Sequence, residues 1–386
     1  MPWKETCPMD ERIQFISGYL DGSVSVTQLC AEAGISRPTG YLWIGRYERE
    51  GARGLIERSR ARHEQAHRIP PDKVERIIKV RKRYRWGPRK LRHRLTELWP
   101  DEHWPAASTI GEILKREGLV KPVPKRRLQA TPTPGPLIEP QAPNELWTID
   151  FKGQFRLGNR RYCYPLTLVD DFSRFVLRCD GVYQVSRQRV LPSLVQAFRL
   201  YGLPQYIRSD NGPPFAATGI AGLSKLGVWW TKLGIHHERI RPGHPQDNGR
   251  HERMHRSLKY EALYVIQANM RQQQQVFDRW RSDFNDIRPH EALGNRKPAQ
   301  IYTHSERRYQ ETRITVSYPT DHVIRRVRPN GTIYWHSQEL FVSKALVGEP
   351  LGLQQIDEHR WHVHFADLKV GLMDTEIMKV LPMCPV

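Results

Sequence analysis

The sequence predicts a multidomain chain in which all-α modules come first, an α/β core with a mixed sheet follows, and a small all-β barrel comes last. Three observations carry this. The chain has 386 residues, more than one hydrophobic core ordinarily serves. Apolar residues recur with helical spacing up to about residue 120, then strands and helices alternate from Glu145 onward. After Glu306 only short β-type stretches and turns remain. Hydrophobic residues make up 39% and charged residues 26%, enough apolar material for several small cores, which excludes global disorder.

The first module is expected over 1–62. Ile13, Phe15, Ile16, Tyr19 and Leu20 form one helical stripe and Asp21-Gly22-Ser23 breaks it. Ser25 can cap a short helix from Val26 to Ala33. Gly34 supplies a tight turn, and Ser36 caps a third helix with Pro38 in its first turn. Helix, glycine turn and capped helix make a helix-turn-helix pattern, whose second helix enters the major groove; an ordinary three-helix bundle is the alternative. Arg37 and Arg46 are its candidate base contacts. A second helical DNA-binding module is expected over 63–122, with helices through Ile77 and Val80, Leu91 to Leu98, and Ile110 to Leu114. Residues 123–143 read as a basic, Pro-rich linker.

From 144 to 304 the α/β core is expected. Leu146 to Phe151, Tyr162 to Val169, Phe175 to Cys179, Tyr206 to Ser209 and Ile235 to Ile240 are strands, with a hairpin at Gly158-Asn159. Helices are expected over Gln188 to Tyr201, Ile220 to Leu233 and Asp247 to Ala268. The barrel, over 305–386, takes strands at Thr312 to Tyr318, His322 to Val327, Thr332 to Trp335, Leu340 to Val342, Gly352 to Ile356 and Trp361 to Phe365, with a hairpin at Asn330-Gly331.

The 61 Lys+Arg against 41 Asp+Glu leave a net charge of +20, which points to a polyanion partner, nucleic acid above all. Residues 1–120 hold 23 basic and 16 acidic side chains, 121–144 hold 4 and 1, 145–304 hold 24 and 14, and 305–386 hold 10 of each. The excess is therefore spread over several modules, as in a protein that follows a long polyanion. Lys79 to Arg94 holds nine cations and no acid, whereas a merely solvated helix face mixes signs. Lys82, Arg83, Arg85, Arg89 and Lys90 are the candidate phosphate contacts. Arg325, Arg326 and Arg328 could add one local contact in the barrel; packing is the equal alternative. The five cysteines, at 7, 30, 163, 179 and 384, form no CxxC pair, which argues against a disulfide scaffold or zinc ribbon and for a reducing cytosol. No run of 18 apolar residues exists, so no membrane helix is expected. Met1-Pro2-Trp3-Lys4-Glu5 carries no apolar leader core. A cytoplasmic, nucleoid-associated location is expected.

Three acids stand where a basic chain needs a reason for them. Asp150 lies near the end of an apolar strand. Asp210 follows Tyr206-Ile207-Arg208-Ser209. Glu252 follows Asp247-Asn248-Gly249 on a helix. Taken singly, a strand-end Asp is usually a turn residue and a helical Glu usually solvated. Together they can converge on one sheet edge as hard oxygen ligands for divalent cations. Two such cations, roughly 4 Å apart, serve phosphodiester displacement.

Five ordered blocks strengthen that reading. They are Trp147-Thr148-Ile149-Asp150-Phe151, Leu168-Val169-Asp170-Asp171-Phe172-Ser173-Arg174, Ser209-Asp210-Asn211-Gly212, Arg241 through Arg253, and Phe284-Asn285-Asp286-Ile287-Arg288-Pro289-His290. They resemble the integrase core of bacterial insertion-sequence DDE transposases, relatives of retroviral integrases. The resemblance is close over about 144–303 and looser elsewhere. It implies a ribonuclease-H-like fold with a mixed five-stranded sheet. It also implies a catalytic and metal-ligating triad of Asp150, Asp210 and Glu252, and two Mg²⁺ ions (Mn²⁺ as alternative). The implied partners are terminal-repeat and target DNA, held by a homo-oligomer on paired ends. Two features depart from the pattern. The 41 residues between Asp210 and Glu252 exceed the family's usual gap, which places an insertion near Gly219 to Lys225 and leaves Glu238 and Glu261 as weaker fallbacks. No zinc module precedes the core. Asp170 and Asp171 read as structural, with Asp171 able to support the site. His251 and His255, at i, i+4, lack a third ligand and read as DNA-facing or supporting residues. Two other functions compete: a sequence-specific DNA-binding regulator with an inactive core, and a ribonuclease-H-type nuclease.

Overall fold

The computed structural model describes residues 7–58, 69–120, 137–217, 219–242, 244–311 and 314–383. Most of the expected linker lies outside these residues, as does Thr312. The chain forms two compact units, Met1–Ile69 and Pro70–Val386.

In the first unit, α1 (Pro8–Asp21), α2 (Val26–Glu32) and α3 (Arg37–Glu50) enclose Phe15, Ile16, Leu29, Cys30, Ile44 and Leu55. Ser25 accepts from the Gln28 N–H and Ser36 from the Thr39 N–H, so both expected caps form. Gly34, at φ +63, turns α2 into α3, and Gly40 lets the helices touch: a Cβ there would lie 2.4 Å from the Cys30 sulfur.

The second unit opens with α4 (Pro71–Tyr84), α5 (Pro88–Leu98) and α6 (Ala107–Arg116), packed around Ile77, Leu91, Leu95, Ile110 and Leu114. Its core sheet contains β1 (Leu146–Phe151), β2 (Phe155–Arg156), β3 (Tyr162–Asp170), β4 (Val176–Val182), β5 (Tyr206–Ser209) and β6 (His236–Arg239). The five longer strands run β4-β3-β1-β5-β6, and two-residue β2 extends β3. β1 pairs antiparallel with β3 and parallel with β5, which is parallel to β6. The sheet is thus mixed and, apart from β2, five-stranded, as expected.

Helices cover both faces. α7 (Arg187–Tyr201) and α8 (Lys225–Lys232) bury Trp147, Ile149, Leu166, Leu168 and Ile207 with Phe198 and Trp230. α9 (Gly249–Glu261) and α10 (Met270–Ser282) bury Val169, Val176 and Cys179 with Met254, Leu258, Phe277 and Trp280. Because side chains alternate along a strand, Trp147 and Ile149 go to the first face, which turns Thr148 and Asp150 toward α9. The helix expected from Asp247 to Ala268 stops at Glu261, and α10, capped by Asn269, had no counterpart in the sequence reading. The expected helix from Ile220 to Leu233 breaks at Leu223 and resumes as α8.

The C-terminal region contains β7 (His322–Arg326), β8 (Thr332–Trp335), β9 (Gln338–Phe341), β10 (Pro350–Gln355), β11 (Arg360–Phe365), β12 (Leu368–Asp374) and β13 (Lys379–Pro382). The ladder runs β13-β12-β11-β10-β7, with β8-β9 as a separate hairpin. It is an open antiparallel sheet among the described residues, so the barrel expectation reduces to a sheet-rich region. Asn330-Gly331 makes a turn, but its flanking strands do not pair; the hairpin closes instead at His336 and Ser337, both at positive φ. Residues 314–318 form no strand. Ile220 and Leu223, in the stretch where an insertion was expected, are buried with Leu346 and Val363 of this region.

Candidate active site

β1 and β5 are parallel, so their C-terminal ends lie on one edge of the sheet. Asp150 sits at that end of β1, opposite Thr167 of β3, and Asp210 follows the last residue of β5. Glu252 is exposed in the first turn of α9. Burial first, then the charge of Asp210, and to a smaller extent that of Glu252, push the Asp150 carboxyl up to about 7. The Phe151 N–H opposes this from 2.7 Å. Burial also raises Asp210, against the Gly212 N–H. The charges of Asp210 and Glu252 act on Asp150, but neither acid belongs to the close group of ligand atoms around it.

The group of His, Cys, Asp and Glu ligand atoms lying within 4.8 Å of one another, among the described residues, is Asp150, His251 and His255. Both histidines are buried, which corrects the DNA-facing expectation: their side of α9 packs on β1 and β3. His251 bonds Thr148 through Nδ1 at 2.6 Å and Thr167 through Nε2 at 2.7 Å. His255 bonds Thr167 through Nε2 at 2.7 Å. Burial lowers His251 to about 3, and burial with the charge of His251 lowers His255. Nδ2 of Asn248 lies 3.4 Å from Oδ2 of Asp150, placing the Asp-Asn-Gly stretch against the site. The opposite face of α9 exposes Arg253, Arg256 and Lys259 beside Glu252, a cationic border that sequence reasoning missed although every third or fourth residue there is basic.

The other acids are occupied. Asp170 accepts from the Asn144 N–H and from Ser173, and Asp171 pairs with Arg174 and Arg250, so both are structural. Glu238 binds Arg208 at 2.6 Å, and Glu261 binds Arg288 and Trp280.

The candidate DNA contacts divide. Arg37 is exposed at the start of α3, while Arg46 lies over the Trp43 ring. In the second module Arg83 reaches Asp283 at 3.9 Å, Arg89 reaches Glu291 at 3.3 Å, and Arg85 stacks on Tyr264 at 3.5 Å. These three were expected on phosphates; each contacts a core residue here while remaining exposed. Lys90 is half-buried, and burial followed by the charge of Arg288 lowers its pKa. Lys82 is exposed. In the C-terminal region Arg325 lies over Trp335, Arg326 bonds the Gly348 carbonyl, and Arg328 pairs with Glu339. Among the described residues no helix is long and apolar enough to cross a membrane.

Residues 140–245 and 233–298 match the Integrase core domain, residues 39–114 a Homeodomain-like domain and residues 11–63 a Helix-turn-helix domain. A 39.2 kDa protein of insertion element IS476 from Xanthomonas euvesicatoria is 30% identical over 224 residues, covering 56% of this chain and 60% of that protein. A 31.7 kDa protein of insertion element IS407 from Burkholderia multivorans is 32% identical over 169 residues, covering 43% and 57%. The chain thus spans less than two thirds of the length of these curated relatives. Among solved structures, the HTLV-2 integrase catalytic core domain in complex with magnesium aligns at 17% identity and a TM-score of 0.33, covering 43% of this chain and 100% of that one. The chain therefore carries helix-turn-helix domains followed by an integrase core over residues 140–298, and is a relative of bacterial insertion-element proteins.

Proposed function

We propose that this chain is a DDE-type transposase that binds the terminal repeats of an insertion sequence, cuts DNA at the element end and joins that end to target DNA. The observation that supports this reading is the placement of Asp150 and Asp210 at the C-terminal ends of the parallel strands β1 and β5, with Asn248, just before α9 and Glu252, reaching Asp150. Carboxylates at one sheet edge suit hard divalent cations. Two Mg²⁺ or Mn²⁺ ions held by Asp150, Asp210 and Glu252 would supply charge stabilisation to the attacking and leaving oxygens of an in-line displacement.

A water oxygen attacks the phosphorus at the element end, and the bond from phosphorus to the 3′-oxygen breaks, leaving a 3′-hydroxyl. That hydroxyl then attacks a target phosphorus, and the corresponding target bond breaks in turn. The chain's own residues orient and hold. Asp150 is fixed by the Phe151 N–H and Asn248. Arg253, Arg256 and Lys259 border Glu252 and suit a phosphate backbone. No protein nucleophile takes part. Burial pushes the Cys163 thiol up to about 12 and raises Cys179, so neither offers a thiolate. Arg37, at the start of α3, is the proposed base contact, and two DNA ends call for a homo-oligomer.

The test compares Asp150→Asn, Asp210→Asn and Glu252→Gln on labelled end DNA. Each is expected to lose roughly a thousandfold or more in cleavage rate while keeping end binding. Near-wild-type cleavage by any of them removes that residue from the triad. Binding without cleavage by the wild-type chain in Mg²⁺ and Mn²⁺ favours a DNA-binding regulator, and nicks without joined products favour a nuclease.

A further inference from the structure

Behind Asp150 lies a buried network that the proposed reaction does not use. Thr167 Oγ1 is 2.7 Å from Nε2 of His251, 2.7 Å from Nε2 of His255 and 3.1 Å from the main-chain oxygen of Asp150. A hydroxyl has one proton to give, and a carbonyl oxygen can only accept. The Thr167 proton therefore goes to the Asp150 carbonyl, and both Nε2 atoms donate to the hydroxyl oxygen. A neutral imidazole protonated at Nε2 carries a bare lone pair at Nδ1. In His251 that lone pair accepts from Thr148 at 2.6 Å. In His255 it faces Oδ2 of Asp150 across 3.8 Å, too far for a hydrogen bond. Two electron-pair donors thus confront each other over a gap that one cation, about 2.1 Å from each, would bridge.

We infer that Nδ1 of His255 and Oδ2 of Asp150 together ligate one active-site cation, and that this nitrogen makes the site favour a first-row transition cation such as Mn²⁺ over Mg²⁺. Mg²⁺ takes oxygen ligands and gives up water reluctantly. Imidazole nitrogen suits softer ions. Thr167 fixes which nitrogen of His255 is bare, and His251, locked between two threonines, holds Thr167; outer partners of this kind orient a metal-binding histidine. His251 has no free nitrogen and is a positioning residue. The inference rests on the proposed metal-dependent function for the presence of a cation. The choice of ligand and of ion is additional to it.

Electron spin echo spectroscopy of Mn²⁺ added to the full chain decides the point. The wild-type chain is expected to show modulation from a directly coordinated nitrogen. His255→Gln is expected to lose that modulation and at least tenfold in Mn²⁺ affinity, since loss of even a supporting group costs metal sites about that much, with Mg²⁺ affinity nearly unchanged. Bound Mn²⁺ without nitrogen modulation in the wild-type chain overturns the assignment of His255 and leaves the carboxylate site standing. If neither ion binds, the metal-dependent function falls as well. The first result is read on the unaltered chain, so a variant that fails to fold cannot obscure it.

Discussion

The two helical modules read alike in sequence, each three short helices with Arg and Lys between apolar positions, and they differ in what their cations touch. In the first, Arg37 is exposed, and Arg12 and Arg46 lie over the half-buried Trp43 at 4.1 and 4.8 Å. In the second, Trp86 is buried, stacks on Tyr84 at 4.5 Å and lies near Arg288 of the core. Around it Arg83, Arg85 and Arg89 engage Asp283, Tyr264 and Glu291, and Lys297 of the core reaches back to Glu97 at 2.9 Å. A run of cations is therefore not a polyanion surface by composition alone. What decides is whether acids and rings of the same unit lie within reach.

Replacing each module's tryptophan should separate them most strongly. Trp86→Ala removes a fully packed ring and should cost about 3–5 kcal/mol, with lost hydrogen-exchange protection in α4 to α6 and in the core residues they touch. Trp43→Ala forfeits a half-buried ring and two half-buried cation–π contacts and should cost about 1–2 kcal/mol, confined to α1 to α3. Equal losses in urea melts would mean that the second module is not fastened to the core as its contacts indicate.

Acid should discriminate next. Burial lowers His237 to about 4 and His290 to about 3, against about 6.5 in an unfolded chain. Between these values the unfolded state binds protons that the folded state refuses, so stability falls as pH drops from about 6.5 to 4. Each histidine should account for a loss on the order of 3 kcal/mol by pH 4. Residues 7–58 contain no histidine, so α1 to α3 should hold over that range. Urea midpoints at pH 7.5, 5.5 and 4.5 that fall equally for both units would contradict this.

The same contrast explains what could be read from sequence. β1 and β5 span the residues expected, because short apolar runs ended by turn residues leave little choice. The caps at Ser25 and Ser36 were equally local. Asp150 and Asp210 were legible as strand-end acids because parallel strands put their ends on one edge. The histidine network was not: Arg250, Arg253 and Arg256 make α9 look solvated all round, and the threonines that bury its other face come from strands roughly 85 to 105 residues earlier. Residues 314–318 carry the alternation of a strand but have no partner strand, and pairing, which is non-local, makes a strand. The end of α9 at Glu261 was signalled by Asn269, whose side chain caps α10, a cue that the longer helix reading passed over.

Salt dependence of DNA binding sharpens the comparison further. Each lost phosphate contact lowers the slope of log affinity against log salt by about 0.9. If the exposed contacts of Arg83, Arg85 and Arg89 with core residues persist on DNA, changing them together with Lys82 and Lys90 to alanine should lower the slope by about 2 rather than by the 4 to 5 that five free contacts would give. A drop of 4 to 5 would show that DNA pulls the basic run away from the core.

The smallest expected difference lies at the helix starts. α3 begins with Ser36, whose hydroxyl accepts the Thr39 N–H at 3.4 Å. α6 begins after Ala106, which has extended backbone (φ −57, ψ 153) and no side-chain cap. An orphan N–H at a helix start is satisfied by a Ser, Thr, Asp or Asn oxygen, and losing that oxygen costs about 1 kcal/mol. Ser36→Ala should therefore destabilise the first unit by about 1 kcal/mol. Ala106→Ser, at an exposed position with cap-compatible backbone, should stabilise the second module by a comparable amount, about 0.5–1 kcal/mol. Both are read as shifts in urea midpoint at unchanged slope. The pair is informative because the signs are opposite. A loss on Ala106→Ser would mean that the position is held by tertiary packing against its neighbours, and that the second module is tied down beyond the contacts of α4 and α5.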